Sequence, residues 1–217
     1  MAITFDIYLI TDRDQTGGRP LKRIVEDSIK GGIRAVQLRE KGLDARDLFS
    51  IAKELKSITR VAGAKFFIND RLDIAIAADA DGIHLGQKSI SPSDVRGTIG
   101  EKMLIGVSAH SLDEALNAQQ AGADFVTLGP AYDTPSKRKY GPPVGIAVLR
   151  EVSQRLNIPV FAIGGIKVER VGEVIMAGAY GIALISAIMA DNDPEMAARA
   201  MVEEVRFWKK KRAGREI

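Results

Sequence analysis

The feature that most constrains the fold is a regular alternation of two kinds of segment along the 217 residues. Short runs rich in β-branched and aromatic residues alternate with longer segments whose apolar residues recur every three or four positions. That pattern is typical of parallel strands joined by crossover helices. The eight short runs are Asp6–Thr11, Ala35–Glu40, Lys65–Asp70, Gly82–Gln87, Leu104–Ala109, Phe125–Pro130, Pro159–Gly165 and Gly181–Ile188. The clearest amphipathic segments are Ala45–Ala62, Leu112–Ala121, Lys167–Ala177 and Pro194–Lys211.

Eight strand–helix units in a chain of this length favour a closed barrel over an open sheet. The units average about 27 residues, at the compact end of the range for a (β/α)8 TIM barrel, whereas a doubly wound sheet more often has five or six strands. No linker rich in Pro, Gly or Ser divides the sequence. We therefore predict a single α/β domain over residues 1–217, a (β/α)8 barrel with a basic tail at about residues 209–217.

Composition excludes several classes of function. Cysteine is absent, so disulfides, thiolate catalysis and cysteine-ligated metals are excluded. The net charge of +3 is too small to indicate a nucleic-acid or membrane partner, and Lys209–Arg212 is expected to extend a solvated helix end. The longest apolar stretch, near Ile182–Ala190, is shorter than the ~18 residues that span a bilayer. We expect a soluble cytoplasmic protein, and the sequence leaves a homo-oligomer open.

Polar side chains occur at the carboxyl end of the second predicted strand, where the loops of a barrel build active sites. Gln37, Arg39 and Lys41 share one face, because alternate strand residues point the same way. Cations at a barrel mouth are costly to desolvate unless an anion meets them. An anionic ligand is the functional interpretation, and an internal ion pair with Glu40 or Asp70 is the alternative.

The third predicted strand ends in Asn69-Asp70, which places a carboxylate at the same rim. Mg²⁺ is usually held by one or two carboxylates together with substrate phosphates, so this position favours a metal ligand. The alternative is that Asp70 caps the helix that follows. His84 lies within an apolar strand and is expected to be a satisfied interior residue, and its spacing from His110 does not indicate a metal site.

The longest connection without helical or strand pattern follows the sixth strand and is typical of a lid or binding loop. Its side chains Thr134, Ser136 and Lys137 could wrap a phosphate, and a solvated basic loop is the alternative. Gly165 at the end of the seventh predicted strand and Ser186 at the end of the eighth lie where barrels of this type usually bind phosphate through backbone N–H groups.

These fragments occur in one order over nearly the whole chain. They are Gln37-Leu-Arg-Glu-Lys41, Asn69-Asp70, Gly82-Ile-His-Leu-Gly-Gln87, Gly106-Val-Ser-Ala-His110, Gly129-Pro130 with Thr134 to Lys137, Ile163-Gly-Gly-Ile166 and Ile185-Ser186-Ala187. Together they resemble the thiamine-phosphate synthases. That family joins hydroxymethylpyrimidine diphosphate to hydroxyethylthiazole phosphate and releases pyrophosphate with the help of Mg²⁺. The resemblance implies a transferase with two small-molecule substrates and no protein nucleophile.

The resemblance also implies a role for each matching residue. The residues that would bind the pyrimidine diphosphate are Gln37, Arg39, Lys41 and Asn69. The catalytic contacts to the departing pyrophosphate would come from Arg39, Lys41, Ser108 and Lys137. The thiazole phosphate would be bound by Thr134, Ser136, Gly165, Ile185 and Ser186. Asp70 would hold Mg²⁺.

One position departs from the family pattern. Where the family supplies an acidic second metal ligand, this chain has Lys88-Ser89, so Ser89 is a doubtful ligand with a neutral oxygen and weaker magnesium binding is predicted. Two alternatives to the synthase are left open. A related thiazole tautomerase would carry a histidine in place of Pro130, and a non-catalytic sensor of phosphorylated ligands could use the same barrel.

Overall fold

The computed structural model describes residues 2–134 and 142–215, and these form a closed barrel of parallel strands. The strands are β1 (Ile7–Ile10), β2 (Ala35–Leu38), β3 (Lys65–Asn69), β4 (Gly82–Leu85), β5 (Leu104–Ala109), β6 (Phe125–Leu128), β7 (Val160–Ile163) and β8 (Gly181–Leu184). Each strand pairs with the next in sequence, and β8 pairs with β1 to close the cylinder. The predicted (β/α)8 TIM barrel is confirmed.

The strands are joined by helices on the outside of the barrel. These are α1 (Leu21–Lys30), α2 (Ala45–Val61), α3 (Leu72–Ala77), α4 (Pro92–Ile99), α5 (Leu112–Gln120), α6 (Gly145–Arg155), α7 (Val171–Met176), α8 (Ser186–Met189) and α9 (Pro194–Ala213). Most strands end earlier than predicted, and the largest difference is in β8, because the residues from Ser186 onward form the short helix α8. The predicted helix Lys167–Ala177 is divided into a 3₁₀ turn over Val168–Arg170 and α7.

Two separate apolar layers follow from the alternation of side chains along each strand. Residues such as Val36 and Leu38 point outward and pack with the helices, as expected. The inward-facing residues form a second cluster on the barrel axis, which includes Phe5, Tyr8 and Phe67.

The floor of the barrel interior is built from phenylalanines that lie opposite glycines on the neighbouring strand. The three cross-strand pairs are Phe67 with Gly82, Phe125 with Gly106 and Phe161 with Gly181. A Cβ atom at Gly82 would lie only 2.3 Å from the Phe67 ring, so each glycine provides the space that its aromatic partner fills.

The basic end of α9 is partly bound to the rest of the molecule. Lys209 Nζ lies 2.6 Å from an Asp6 carboxylate oxygen and 4.0 Å from the centroid of the Tyr180 ring. Arg212 donates to two backbone carbonyl oxygens, one in α7 and one in the join that follows it, both at 2.8 Å. The expectation of a solvated helix end is therefore wrong for Lys209 and Arg212, since the body of the protein offers them acceptors. Within residues 2–134 and 142–215, no helix combines the length and apolarity needed to cross a membrane.

Candidate active site

The barrel brings the predicted site residues to one rim, because the carboxyl ends of all eight parallel strands meet there. Gln37, Asn69 and Ser108 lie on strands, at or near their carboxyl ends. The residues that follow strand ends at this rim are Arg39, Lys41, Asp70, Ser89, Thr134, Gly165, Ile185 and Ser186. Ser136 and Lys137 lie outside the described residues. Arg39 and Gly165 are thus at the same end of the barrel.

Above the aromatic floor, the axis is occupied by polar side chains. Gln37 is 1% exposed, and its Nε2 donates to the Tyr8 hydroxyl oxygen over 2.9 Å. Burial raises the pKa of Tyr8 well above its usual range, so this phenol stays protonated. The carboxamide oxygen of Gln37 accepts no hydrogen bond from the described residues and is left as an acceptor for a ligand.

His84 is buried in the same layer, but only one of its ring nitrogens is paired. Nε2 lies 3.0 Å from Ser108 Oγ, whereas Nδ1 is buried without a partner in the described part of the chain. Burial, with the nearby charge of Arg39 added, lowers the pKa of His84 to about 3, so the ring is neutral. The expectation of an interior histidine is correct, but the expectation that it is satisfied holds for one nitrogen alone.

The neutral ring assigns a direction to the hydrogen bond with Ser108. A proton on Nδ1 would be a buried donor without an acceptor, so the favoured tautomer carries its proton on Nε2. Ser108 Oγ then accepts from His84 and keeps its own O–H proton for another partner. Gln87 Nε2 also donates to the Ser108 carbonyl oxygen over 2.6 Å, so Ser108 is held from two sides.

Arg39 does not form the internal ion pair that the sequence left as an alternative. Glu40 is already engaged by the Thr11 hydroxyl at 2.6 Å and by Arg13 Nε at 3.1 Å. Within the described residues no carboxylate pairs with Arg39, although its charge is close enough to His84 to lower that pKa. A half-buried guanidinium without a counterion is a binding site for an anion.

The Asp70 side chain makes no hydrogen bond or ion pair with the residues that the structure describes. Its backbone has φ of +67° and its N–H donates to the His84 carbonyl oxygen over 2.9 Å. The cap position of α3 is Arg71, and no side-chain hydrogen bond caps this helix, so Asp70 does not have the capping role that was the alternative. The Asp70 side chain is exposed at the rim.

The donor set around Asp70 fits a magnesium site with a single carboxylate. Ser89 Oγ accepts from the Gly86 N–H over 2.7 Å, so one of its lone pairs is already used within the loop. No group of three or more His, Cys, Asp or Glu residues with metal-binding geometry occurs in residues 2–134 or 142–215. Mg²⁺ tolerates such a sparse set when substrate phosphates and water complete its coordination.

The loops expected to bind phosphate contain unpaired polar groups. Gly164 and Gly165 have φ of +96° and +68°, conformations that favour glycine. The N–H groups of Gly165 and Ser186 donate to no acceptor in the described part of the chain. The Thr134 hydroxyl is likewise buried there without a partner. Donors left open at one rim are suited to an anionic ligand.

The sequence did not indicate three residues that support these loops. They are Tyr132, Arg170 and Glu173. Tyr132, at the start of the long connection, contacts both Arg170 in the 3₁₀ turn after β7 and Glu173 in α7. The only local signal is the spacing of Arg170 and Glu173, three positions apart on one helical face.

Comparisons with known proteins agree with this geometry. The family model for thiamine monophosphate synthase matches residues 7–188. A protein of Geobacter sulfurreducens, provisionally described as a thiamine-phosphate synthase, is 51% identical over 200 residues, which are 92% of this chain and 94% of that protein. A thiamine-phosphate synthase of Roseiflexus is 44% identical over 90% of this chain and 83% of its own length.

A solved structure supports the same relationship. Thiamine phosphate pyrophosphorylase from Pyrococcus furiosus superposes with a TM-score of 0.87 at 35% identity, covering 94% of this chain and 96% of that one. These relatives carry the synthase name, so the tautomerase and sensor alternatives are not favoured. The chain therefore belongs to the thiamine monophosphate synthase family, and its activity is that of a transferase.

Proposed function

We propose that this chain condenses hydroxymethylpyrimidine diphosphate with hydroxyethylthiazole phosphate to give thiamine phosphate and pyrophosphate. The observation that carries the proposal is Arg39, a half-buried cation without a carboxylate partner in the described residues, at the rim where the unpaired phosphate donors also lie. The membership of the family supports the same pair of substrates.

The reaction breaks one bond and forms one. The C–O bond between the pyrimidine methylene and the diphosphate breaks, and its electron pair leaves with the pyrophosphate. The resulting pyrimidine cation is captured by the lone pair of the thiazole nitrogen, which forms the C–N bond. No oxidant and no protein nucleophile is needed, so catalysis depends on stabilising the negative charge that grows on the leaving group.

We assign that stabilisation to cations and donors at the mouth. Arg39 and Lys41 would contact the diphosphate together with Lys137, while Gln37 and Asn69 would position the pyrimidine diphosphate. Because Ser108 Oγ accepts from His84, its own O–H group would donate a hydrogen bond to the departing pyrophosphate. Each contact strengthens as the leaving group gains charge, which favours the transition state over the bound substrate.

The second substrate would be held by its phosphate on the other side of the mouth. The residues assigned to it are Thr134, Ser136, Gly165, Ile185 and Ser186. This assignment is supported by the N–H groups of Gly165 and Ser186 and by the buried Thr134 hydroxyl, which have no hydrogen-bond partner within the described residues. A tethered phosphate would fix the thiazole nitrogen near the methylene carbon, so that capture is effectively intramolecular.

Members of this family generally use Mg²⁺, and Asp70 is the residue here that would hold it, with the neutral Ser89 hydroxyl as a weaker second oxygen. When bound, the ion would neutralise part of the diphosphate charge. The single carboxylate implies that the metal binds together with the diphosphate. We further propose a cytoplasmic location, a single domain over residues 1–217 and a homo-oligomer.

The test is an assay of pyrophosphate release with each substrate alone and with both, in the presence of Mg²⁺. Release that requires both substrates supports the proposal. Binding without turnover would instead indicate a sensor, and isomerisation of a thiazole carboxylate would indicate a tautomerase.

A further inference from the structure

We propose that Arg170, acting with Tyr132 and Glu173, is a positioning residue that holds the two arms of the thiazole phosphate site together. This inference rests on the proposed function for the identity of the ligand. It does not involve contact between Arg170 and the substrate.

The first arm is the start of the connection after β6, which runs along the end of β7. The Ala131 N–H donates to the Ile163 carbonyl oxygen over 2.7 Å, and the Tyr132 N–H donates to the Gly164 carbonyl oxygen over 3.1 Å. A Cβ atom at Gly165 would lie 2.8 Å from Tyr132 Cβ and 3.1 Å from Thr134 Cγ2. The Thr134 hydroxyl and the Gly165 backbone are therefore close neighbours.

Arg170 joins this arm to the second one, the turn after β7. Its guanidinium carbon lies 4.3 Å from the centroid of the Tyr132 ring, and its Nη1 donates to the Gly165 carbonyl oxygen over 2.7 Å. One side chain thus contacts the aromatic ring of the first arm and the backbone of the second. Stacking on an aromatic face and a charged hydrogen bond are both favourable for a planar guanidinium.

Glu173 completes the arrangement by fixing the other end of the tyrosine. Its Oε2 accepts from the Tyr132 hydroxyl over 2.5 Å. Burial, with the Glu173 carboxylate added, raises the pKa of Tyr132, so the phenol remains a donor.

These contacts have a consequence for the phosphate donors. The carbonyl groups of Gly164 and Gly165 are both bound, to Tyr132 N–H and to Arg170, which fixes the two peptide planes of the turn. Because the N–H of a trans peptide points away from its carbonyl, fixing the Gly164 carbonyl also fixes the direction of the unpaired Gly165 N–H. The contacts of Tyr132, Arg170 and Glu173 therefore orient the N–H group that would bind the phosphate, and Arg170 does this without contacting the ligand itself.

The test compares Arg170→Met with a matched variant at the opposite rim. Arg212→Met removes an arginine that likewise donates to backbone carbonyls, two of them instead of one, but far from the mouth. Arg170→Met should raise KM for the thiazole phosphate about tenfold while leaving KM for the pyrimidine diphosphate within about twofold of the wild type. Arg170→Lys should recover part of the loss, and Arg212→Met should lower the melting temperature with both KM values unchanged.

Equal increases in both KM values, or a lower melting temperature with no change in either KM, would overturn the positioning role. If the wild-type chain releases no pyrophosphate, the proposed function fails and the positioning role is decided by calorimetric titration with inorganic phosphate. Phosphate binding weakened in Arg170→Met and retained in Arg212→Met would then support it. Binding that Arg170→Met leaves unchanged, or no binding to the wild type, would overturn it.

Discussion

The two ends of the barrel interior are built on the same strands and differ in how completely their groups are satisfied. At the floor, each phenylalanine fills the space left by a glycine on the next strand. At the mouth, a buried histidine nitrogen, a threonine hydroxyl and a guanidinium have no partner in the described part of the chain. Unpaired buried polar groups lower the free energy of unfolding, whereas a closely packed aromatic floor raises it. The floor therefore stabilises the fold, and the mouth lowers its stability.

The largest expected effect comes from removing the unpaired cation at the mouth. Arg39→Met should lower kcat/KM by a factor of about 100 to 1,000, because an electrostatic contact to the leaving group is lost. The melting temperature should stay the same or rise, since the half-buried charge that is removed has no carboxylate partner among residues 2–134 and 142–215. Arg13→Met is the control, because Arg13 is already paired with Glu40. An unchanged rate in Arg39→Met would remove Arg39 from the mechanism.

The opposite pattern is expected at the floor. Gly82→Ala should lower the free energy of unfolding by about 1–3 kcal/mol, because the new methyl group would overlap the Phe67 ring. Below the melting temperature kcat should be unchanged. Urea unfolding and steady-state kinetics measure the two effects.

Two further variants test whether the loss of stability in Gly82→Ala comes from the overlap with the Phe67 ring. Gly97→Ala in α4 adds the same methyl group where no described atom outside its chain neighbours and the local helix backbone lies within 4 Å, and it should stabilise the helix by about 0.5–1 kcal/mol. The double variant Gly82→Ala with Phe67→Leu should recover part of the lost stability. Full additivity of the two changes would contradict the packing argument.

The comparison of floor and mouth also separates what the sequence could predict from what it could not. Eight strands were predictable because strand periodicity is local, and the placement of Gln37 and Arg39 at one rim follows because the carboxyl ends of all strands in a parallel barrel meet there. The Phe67–Gly82 pairing was not, since it depends on the register between two strands that no local pattern fixes.

The same limit applies within the site. Whether the buried Nδ1 of His84 has a hydrogen-bond partner depends on all the groups that surround it in the folded chain. The contact of Arg170 with Tyr132 joins residues 38 positions apart along the chain. Alternation predicted that His84 faces the interior, but it carried no information about which ring nitrogen finds a partner. Satisfaction of buried polar groups is a tertiary property, and those groups are the ones that distinguish the mouth from the floor.

The buried imidazole of His84 makes the free energy of unfolding of the protein dependent on pH. The pKa of His84 is about 3 in the folded chain and near 6.5 when unfolded, so the unfolded chain binds the extra proton between these values. Stability is therefore complete above pH 6.5 and falls by about 1.4 kcal/mol for each unit below it. His84→Asn should flatten this part of the profile in thermal unfolding measured from pH 7 to pH 5. The exposed His110 gives the control, and an unchanged slope in His84→Asn would show that other groups cause the acid sensitivity.

The smallest effect is expected at the edge of the mouth, where Asp70 is exposed to solvent. Asp70→Asn should raise the magnesium concentration needed for half-maximal activity about tenfold, because a neutral amide oxygen replaces the one carboxylate available. The melting temperature should hardly change, since asparagine also tolerates a positive φ and Asp70 caps no helix. Ser89→Asp adds a carboxylate in the loop after the neighbouring strand β4 and should lower the magnesium concentration needed for half-maximal activity. If Asp70→Asn instead lowers the melting temperature and leaves the magnesium titration unchanged, the Asp70 carboxylate belongs with the stabilising contacts of the barrel and not with the ligands of its mouth.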